Sequence, residues 1–118
     1  MINPNEVIVY FNPACSKCQG VREILASHGV DPTYVHYLDD APTRAALERI
    51  MDLLGIDDPR AMMRTGEPIY GELALIEAER DELIEAMATH PILIERPIVI
   101  RGDRAIIARP PERLLELL

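Results

Sequence analysis

Positive charge is scarce in this chain of 118 residues, and almost all of it comes from one side chain. Lys and Arg number 12 against 20 Asp and Glu, a formal net charge of −8. That balance excludes a nucleic-acid footprint, which needs a basic face to meet the phosphates. No apolar run approaches the ~20 residues that a membrane helix requires, so a membrane partner is excluded as well and a soluble protein is expected. The start Met1-Ile2-Asn3-Pro4-Asn5-Glu6 is neither basic nor long in apolar residues. It does not resemble a secretory signal, and a cytoplasmic location is expected. Repeats, low-complexity tracts and linkers are lacking too. At this length a single domain spanning 1–118 is expected, and an apolar fraction of 48% argues against disorder.

Cysteine is nearly absent, but its two copies are close together. Cys15 and Cys18 lie where the apolar stretch Val7–Asn12 gives way to a helical pattern. Without an export signal, such a pair fits a redox motif in a reducing compartment better than a structural staple. Lys17 is the only lysine; every other cation is an arginine, which can present a planar fork to an oxyanion. A GC-rich genome would account for arginine in bulk, so only arginines at special positions carry weight.

The pattern along the chain is βαβ, a helical insertion at about 43–90, then ββα. Val7 to Asn12 reads as a strand bounded by Pro13. Val21, Ile24, Leu25 and His28 then fall at helical spacing before a stop at Gly29. Thr33 to Leu38 reads as a second, parallel strand. Pro42-Thr43 opens a helix with Leu47, Ile50, Met51 and Leu54 on one face and Gly55 beyond it, and a short helical turn from Pro59 to Met63 follows. Arg64-Thr65-Gly66-Glu67-Pro68-Ile69-Tyr70-Gly71 is rich in turn residues and is expected to be an exposed loop. A helix over Glu79–Thr89 turns Leu83, Ile84 and Met87 inward and ends before Pro91. Ile98–Ile100 and Ala105–Ala108 around Gly102-Asp103 read as a β-hairpin, and Pro110-Pro111 opens a last helix with Leu114, Leu115 and Leu118 toward the sheet. A four-stranded mixed sheet flanked by helices accommodates this order. With a Cys-x-x-Cys after the first strand it is a thioredoxin-like α/β fold, in which Pro97 would be a cis proline beside the reactive sulfur.

A cysteine at a helix N-terminus meets unpaired N–H groups and the positive end of the macrodipole, which lower its pKa from about 8.5 toward about 3.5–7.5. Cys15 is therefore the leading nucleophile, with Asn12, Ser16 and Lys17 around it. Cys18, one turn inside the helix, should be more buried and is placed to attack an adduct on Cys15. Half a zinc site, an inert core pair and a structural disulfide are the alternatives. Zinc would need two more ligands, and His28, His36 and His90 are scattered without ligand spacing, so no metal is expected. Arg64 opens the turn-rich loop, Arg96 precedes Pro97, and Arg109 ends the last strand. Once the fold is drawn they can converge on one anion pocket, although Glu67, Glu95 and Glu112 offer each an ordinary surface ion pair. Asp39-Asp40 and Asp57-Asp58 read as turn and helix-start residues, and His36 and His90 as structural.

Asn12-Pro13-Ala14-Cys15, Arg64-Thr65-Gly66-Glu67-Pro68, the run from His90 through Arg96-Pro97 to Val99, and Arg109-Pro110 together resemble the glutaredoxin-dependent arsenate reductases. His36-Tyr37-Leu38 with Pro42-Thr43-Arg44 resembles the same family, so the likeness covers nearly the whole chain in order. The resemblance implies that Cys15 attacks arsenate and that Arg64, Arg96 and Arg109 bind the oxyanion and stabilise the thiolate. It also implies a monomer without bound cofactor, in which glutathione attacks the thiol–arsenate adduct and glutaredoxin completes reduction to arsenite. Two residues depart from the family pattern. Phe11 stands where members often carry a histidine, and Cys18 where many have a serine. The second thiol opens a disulfide route served by thioredoxin or glutaredoxin. It also resembles the motif of Spx-type regulators, which share the fold, bind RNA polymerase and sense disulfide stress; that is the alternative reading.

Overall fold

The computed structural model describes residues 6–118. The N-terminal reading of Met1–Asn5 lies outside the described residues. Two compact units emerge, one joining the chain up to Tyr37 with Arg96–Leu118, the other made of Leu38–Glu95.

The first unit is built on β1 (Val7–Tyr10), α1 (Ser16–Ser27), β2 (Thr33–Val35), β3 (Ile98–Arg101) and β4 (Arg104–Ile107). The sheet order is β2-β1-β3-β4, with β1 parallel to β2 and antiparallel to β3, and β3 antiparallel to β4. This is the thioredoxin-like mixed sheet that the element order predicts. Alternate residues Val7, Val9, Val99 and Ile106 face Cys18, Val21 and Leu25 of α1 and Leu114 and Leu117 of the C-terminal segment, forming one buried cluster. β1 ends two residues earlier than its apolar run, because Asn12 commits its N–H and C=O to the following loop instead of the ladder. β2 stops at Val35, whose carbonyl takes the last N–H available, that of Phe11, at 2.9 Å. α1 closes with Gly29 at φ 70°, and Val30 N–H returns to Leu25 O at 2.9 Å, the left-handed stop expected there. His28 faces solvent, its Nδ1 2.9 Å from Ile24 O. In the two-residue hairpin loop Gly102 has φ 60°, as the first position of a type II′ turn requires.

The chain end differs from the expected α-helix. Pro111–Leu117 is a 3-10 helix, whose three-residue period puts Leu114 and Leu117 inward and leaves Leu115 48% and Leu118 38% exposed. Arg101 Nη1 donates to Leu117 O at 2.7 Å, satisfying a carbonyl that this short helix leaves open.

The second unit contains α2 (Arg44–Leu54), a 3-10 turn at Pro59–Met62, α3 (Pro68–Glu72), a 3-10 turn at Leu75–Glu77, α4 (Arg80–Thr89) and a 3-10 turn at Pro91–Leu93. Thr43 caps α2, its Oγ1 accepting Ala46 N–H at 3.1 Å, and Gly55 ends it at φ 72°. Leu47, Ile50 and Met51 of α2 and Leu83, Ile84 and Met87 of α4 are buried, matching their periodicity. The expected loop over 64–71 is a loop only as far as Glu67. Pro68 sits at the start of α3, where its missing N–H costs nothing, and Tyr70 is buried. Arg60 explains the burial: its Nε donates to Tyr70 Oη at 3.0 Å, and its Nη2 reaches the carbonyls of Leu75, Ile76 and Ala78 at 2.7, 3.1 and 2.8 Å. One guanidinium thus holds the segment around Ala74, a non-glycine residue at φ 52°.

A Cβ added at Gly20 would lie 2.8 Å from Pro111 Cγ, where α1 meets the C-terminal helix. The ~1 kcal/mol of helix propensity gained in Gly20→Ala is outweighed by an overpacking cost of about 1–3 kcal/mol. Denaturant titration should therefore show a less stable protein, whereas a more stable one would mean the two helices separate without penalty. Thr43→Ala should cost about 1 kcal/mol through loss of the α2 cap, read by the same titration.

Candidate active site

Asn12 organises the loop between β1 and α1 with three hydrogen bonds. Its Oδ1 accepts Ala14 N–H at 3.0 Å, its carbonyl accepts Cys15 N–H at 3.0 Å, and its own N–H points to Cys18 Sγ at 3.4 Å. The first is an Asx turn, a side chain standing in for backbone. Gln19 fastens the loop from the helix side, its Nε2 donating to Pro13 O at 2.9 Å. The result sets Cys15 at the N-cap of α1, with extended backbone at φ −93° and ψ 123°.

Both cysteines are free thiols in the buried cluster, but Cys15 keeps 7% exposure whereas Cys18 has 0%. The expected order of burial holds. Burial by itself would raise the Cys15 thiol. The backbone N–H of Cys18, the Cys18 thiol, the backbone N–H of Lys17 and the charge of Arg109 outweigh it, and the net shift is downward from the ordinary thiol value. The neutral thiol makes no capping hydrogen bond, so these interactions belong to the thiolate. Cys18 moves the other way, pushed up to about 12 by burial and by the charge and hydrogen bond of Cys15, against the Asn12 N–H and Arg109, which favour its ionised form. The two thiols are thus split into an ionisable sulfur and its hydrogen-bond donor. The contribution of Lys17 to Cys15 comes through its main chain, and its side chain is exposed, as is Ser16 at the head of α1.

Arg109 and Arg96 belong to this unit and are joined. Arg109 Nη1 donates to Arg96 O at 2.9 Å, and Ala108 N–H donates to Pro97 O at 2.9 Å, so the end of β4 grips the turn before β3. The Arg96-Pro97 bond is cis, as expected, and Arg109-Pro110 is also cis, which the sequence did not suggest. Both arginines are half-buried, and Arg96 Nε is shielded from solvent. Arg64 lies in the second unit, its Nε 2.9 Å from Glu67 Oε1 and its Nη1 3.5 Å from Glu95 Oε1, around a polar cavity of about 350 Å³ that Thr65 and Gly66 also line. The ordinary ion pairs available to it are therefore made.

Phe11, at the family's histidine position, is buried at 1% exposure; its ring is 4.9 Å from that of Tyr34, and Arg22 stands 4.8 Å over it. This cation–π stack was not read from the sequence, since Phe11, Arg22 and Tyr34 meet only once β2 pairs with β1. His36 touches the same ring edge-on at 6.0 Å. Among the described residues, no group of three or more His, Cys, Asp or Glu gathers to hold a metal ion. Among the described residues, no helix is long and apolar enough to cross a membrane.

The model of the ArsC family matches residues 10–117. The chain belongs to the ArsC family. It is 45% identical over 114 residues to a protein named arsenate reductase from Haemophilus influenzae, covering 95% of this chain and 98% of that protein. With the arsenate reductase of Escherichia coli K12 it shares 39% identity over 116 residues, 97% of this chain and 82% of that protein. A structure of an arsenate reductase from Vibrio cholerae superposes with a TM-score of 0.94 at 42% identity, covering 98% of this chain and all of that one.

If the Arg109 guanidinium helps to ionise Cys15, Arg109→Ala should slow alkylation of Cys15 at neutral pH and move its pH profile upward. Arg109→Lys should restore the charge and part of the rate without the planar fork. Equal rates in all three proteins would remove Arg109 from the thiolate's surroundings.

Proposed function

We propose that the chain reduces arsenate to arsenite, with Cys15 as the nucleophile. The carrying observation is the Cys15 sulfur at the N-terminus of α1, with its thiol shifted toward ionisation, in a chain of the ArsC family. The Cys15 thiolate attacks arsenic, an S–As bond forms, and an arsenate oxygen leaves as water. Arg96 and Arg109 are assigned to the oxyanion and its adduct, where guanidinium forks match oxygen pairs and oppose developing charge. Arg64 completes the set by family resemblance.

Covalent capture divides a difficult two-electron reduction into a substitution at arsenic and a later thiol attack on the adduct. In the family's pattern an external thiol, glutathione with glutaredoxin, serves the second, and the reducing cytoplasm is the setting in which such donors abound.

Arsenite production measured with glutathione and glutaredoxin tests this reading. Cys15→Ser should produce none. Arg96→Ala should lower kcat/KM for arsenate about 10- to 100-fold, as loss of a hydrogen bond to a charged group implies. Full activity in Cys15→Ser would overturn the assignment. Absence of arsenite with any donor, together with co-purification with RNA polymerase, would favour the Spx-type regulator instead.

A further inference from the structure

The cycle above uses one cysteine, yet the second is not packed as an inert core residue. Cys18 lies in the first turn of α1, three positions from Cys15, where side chains share one face of a helix. Its sulfur is fully buried but receives the Asn12 N–H at 3.4 Å and is hydrogen-bonded to Cys15. An apolar side chain of the same size would fill the space and leave that N–H unsatisfied. Arg109 acts on this sulfur as well as on Cys15.

We propose that Cys18 is the resolving thiol of the same cycle, attacking the Cys15 sulfur of the arsenate adduct so that arsenite leaves without glutathione. The inference rests on the reductase reading. In the step, the Cys18 thiol gives up its proton to an oxygen of the departing arsenite or to water, and its sulfur forms an S–S bond with Cys15. The S–As bond breaks and its electron pair stays on arsenic, which passes from As(V) to As(III). The protein ends oxidised by two electrons as the Cys15–Cys18 disulfide. Over both steps, arsenate and two thiols give arsenite, a disulfide and one water. Arsenate is the oxidant, and a dithiol protein is the reductant that reopens the disulfide at the more exposed sulfur, Cys15.

The electrostatics of the pair also set the order of events. In the resting protein the Cys15 thiolate keeps Cys18 protonated through its charge and its hydrogen bond. Once Cys15 is bonded to arsenic, its sulfur no longer carries that charge. Burial still opposes ionisation of Cys18, but the Asn12 N–H and the Arg109 charge still favour it, now without opposition from a neighbouring anion. The second thiol is thus released for attack only after the first has reacted, so the pair does not compete for arsenate.

A single-turnover experiment separates this step from the reading beneath it. Reduced protein, freed of small thiols and kept anaerobic, is mixed with arsenate, and arsenite, free thiols and the disulfide by intact mass are measured. The wild type should release one equivalent of arsenite per chain and lose both thiols. Cys18→Ser should release none until glutathione is added. Arsenite from Cys18→Ser without any donor, or a wild type that releases arsenite only with glutathione and ends with both thiols reduced, would overturn the proposal and leave the reductase reading standing. A wild type that makes no arsenite with any donor would overturn both.

Discussion

The sulfur of Cys15 at the start of α1 is the point on which the rest of the site depends. A thiol closed off to 7% exposure should resist ionisation, and here it does not, because the N–H groups of Cys18 and Lys17, the Cys18 thiol and Arg109 together exceed the cost of burial. Each of these contributors is delivered by a structural decision elsewhere. Asn12 leaves the β1 ladder and builds the Asx turn, Gln19 ties that turn to the helix, and α1 begins at Ser16 with its first N–H groups directed at the sulfur. The close approach of α1 and the C-terminal helix at Gly20 fixes the opposite face of the same helix.

Charge at the site is local rather than global. With a net charge of −8, the protein as a whole offers no attraction to an oxyanion. Arg109 compensates over short range, and its connections are economical: one guanidinium grips the carbonyl that precedes the cis Pro97 and also lowers the Cys15 pKa. Loss of that side chain therefore touches both the turn that carries Arg96 and the thiolate. The splitting of the cysteine pair has the same short-range origin, since a hydrogen bond between two thiols favours ionisation of the acceptor and opposes that of the donor.

The periodic parts of the fold were legible in the sequence. The βαβ start, the hairpin around Gly102 and the inward faces of α2 and α4 follow from apolar spacing and from glycines where positive φ is needed. So did the greater burial of Cys18, because residue i+3 of a helix turns inward when residue i caps it. What escaped had no periodicity to read. The C-terminal helix adopts 3-10 geometry, and one change of period exchanged Leu117 for Leu115 and Leu118 in the core. The segment from Pro68 became helical and buried Tyr70 because Arg60 supplies its polar partners from ten positions earlier. Lys17 acts on the sulfur through its backbone N–H, which its residue type does not reveal, and the stack of Arg22 on Phe11 depends on a strand pairing that no single segment displays. Arg64 shows a limit of another kind: residue type and motif marked it as an anion ligand, the sequence also offered Glu67 and Glu95 as ion-pair partners, and only the folded chain shows that both pairs form.

Ultraviolet titration of thiolate absorbance in the reduced protein measures the divided pair most directly. The account requires two separate steps, one thiolate appearing below the ordinary thiol range and assigned to Cys15 by its loss in Cys15→Ser, the other absent until the pH nears about 12. Two thiols that titrate together at the value of free cysteine would contradict it.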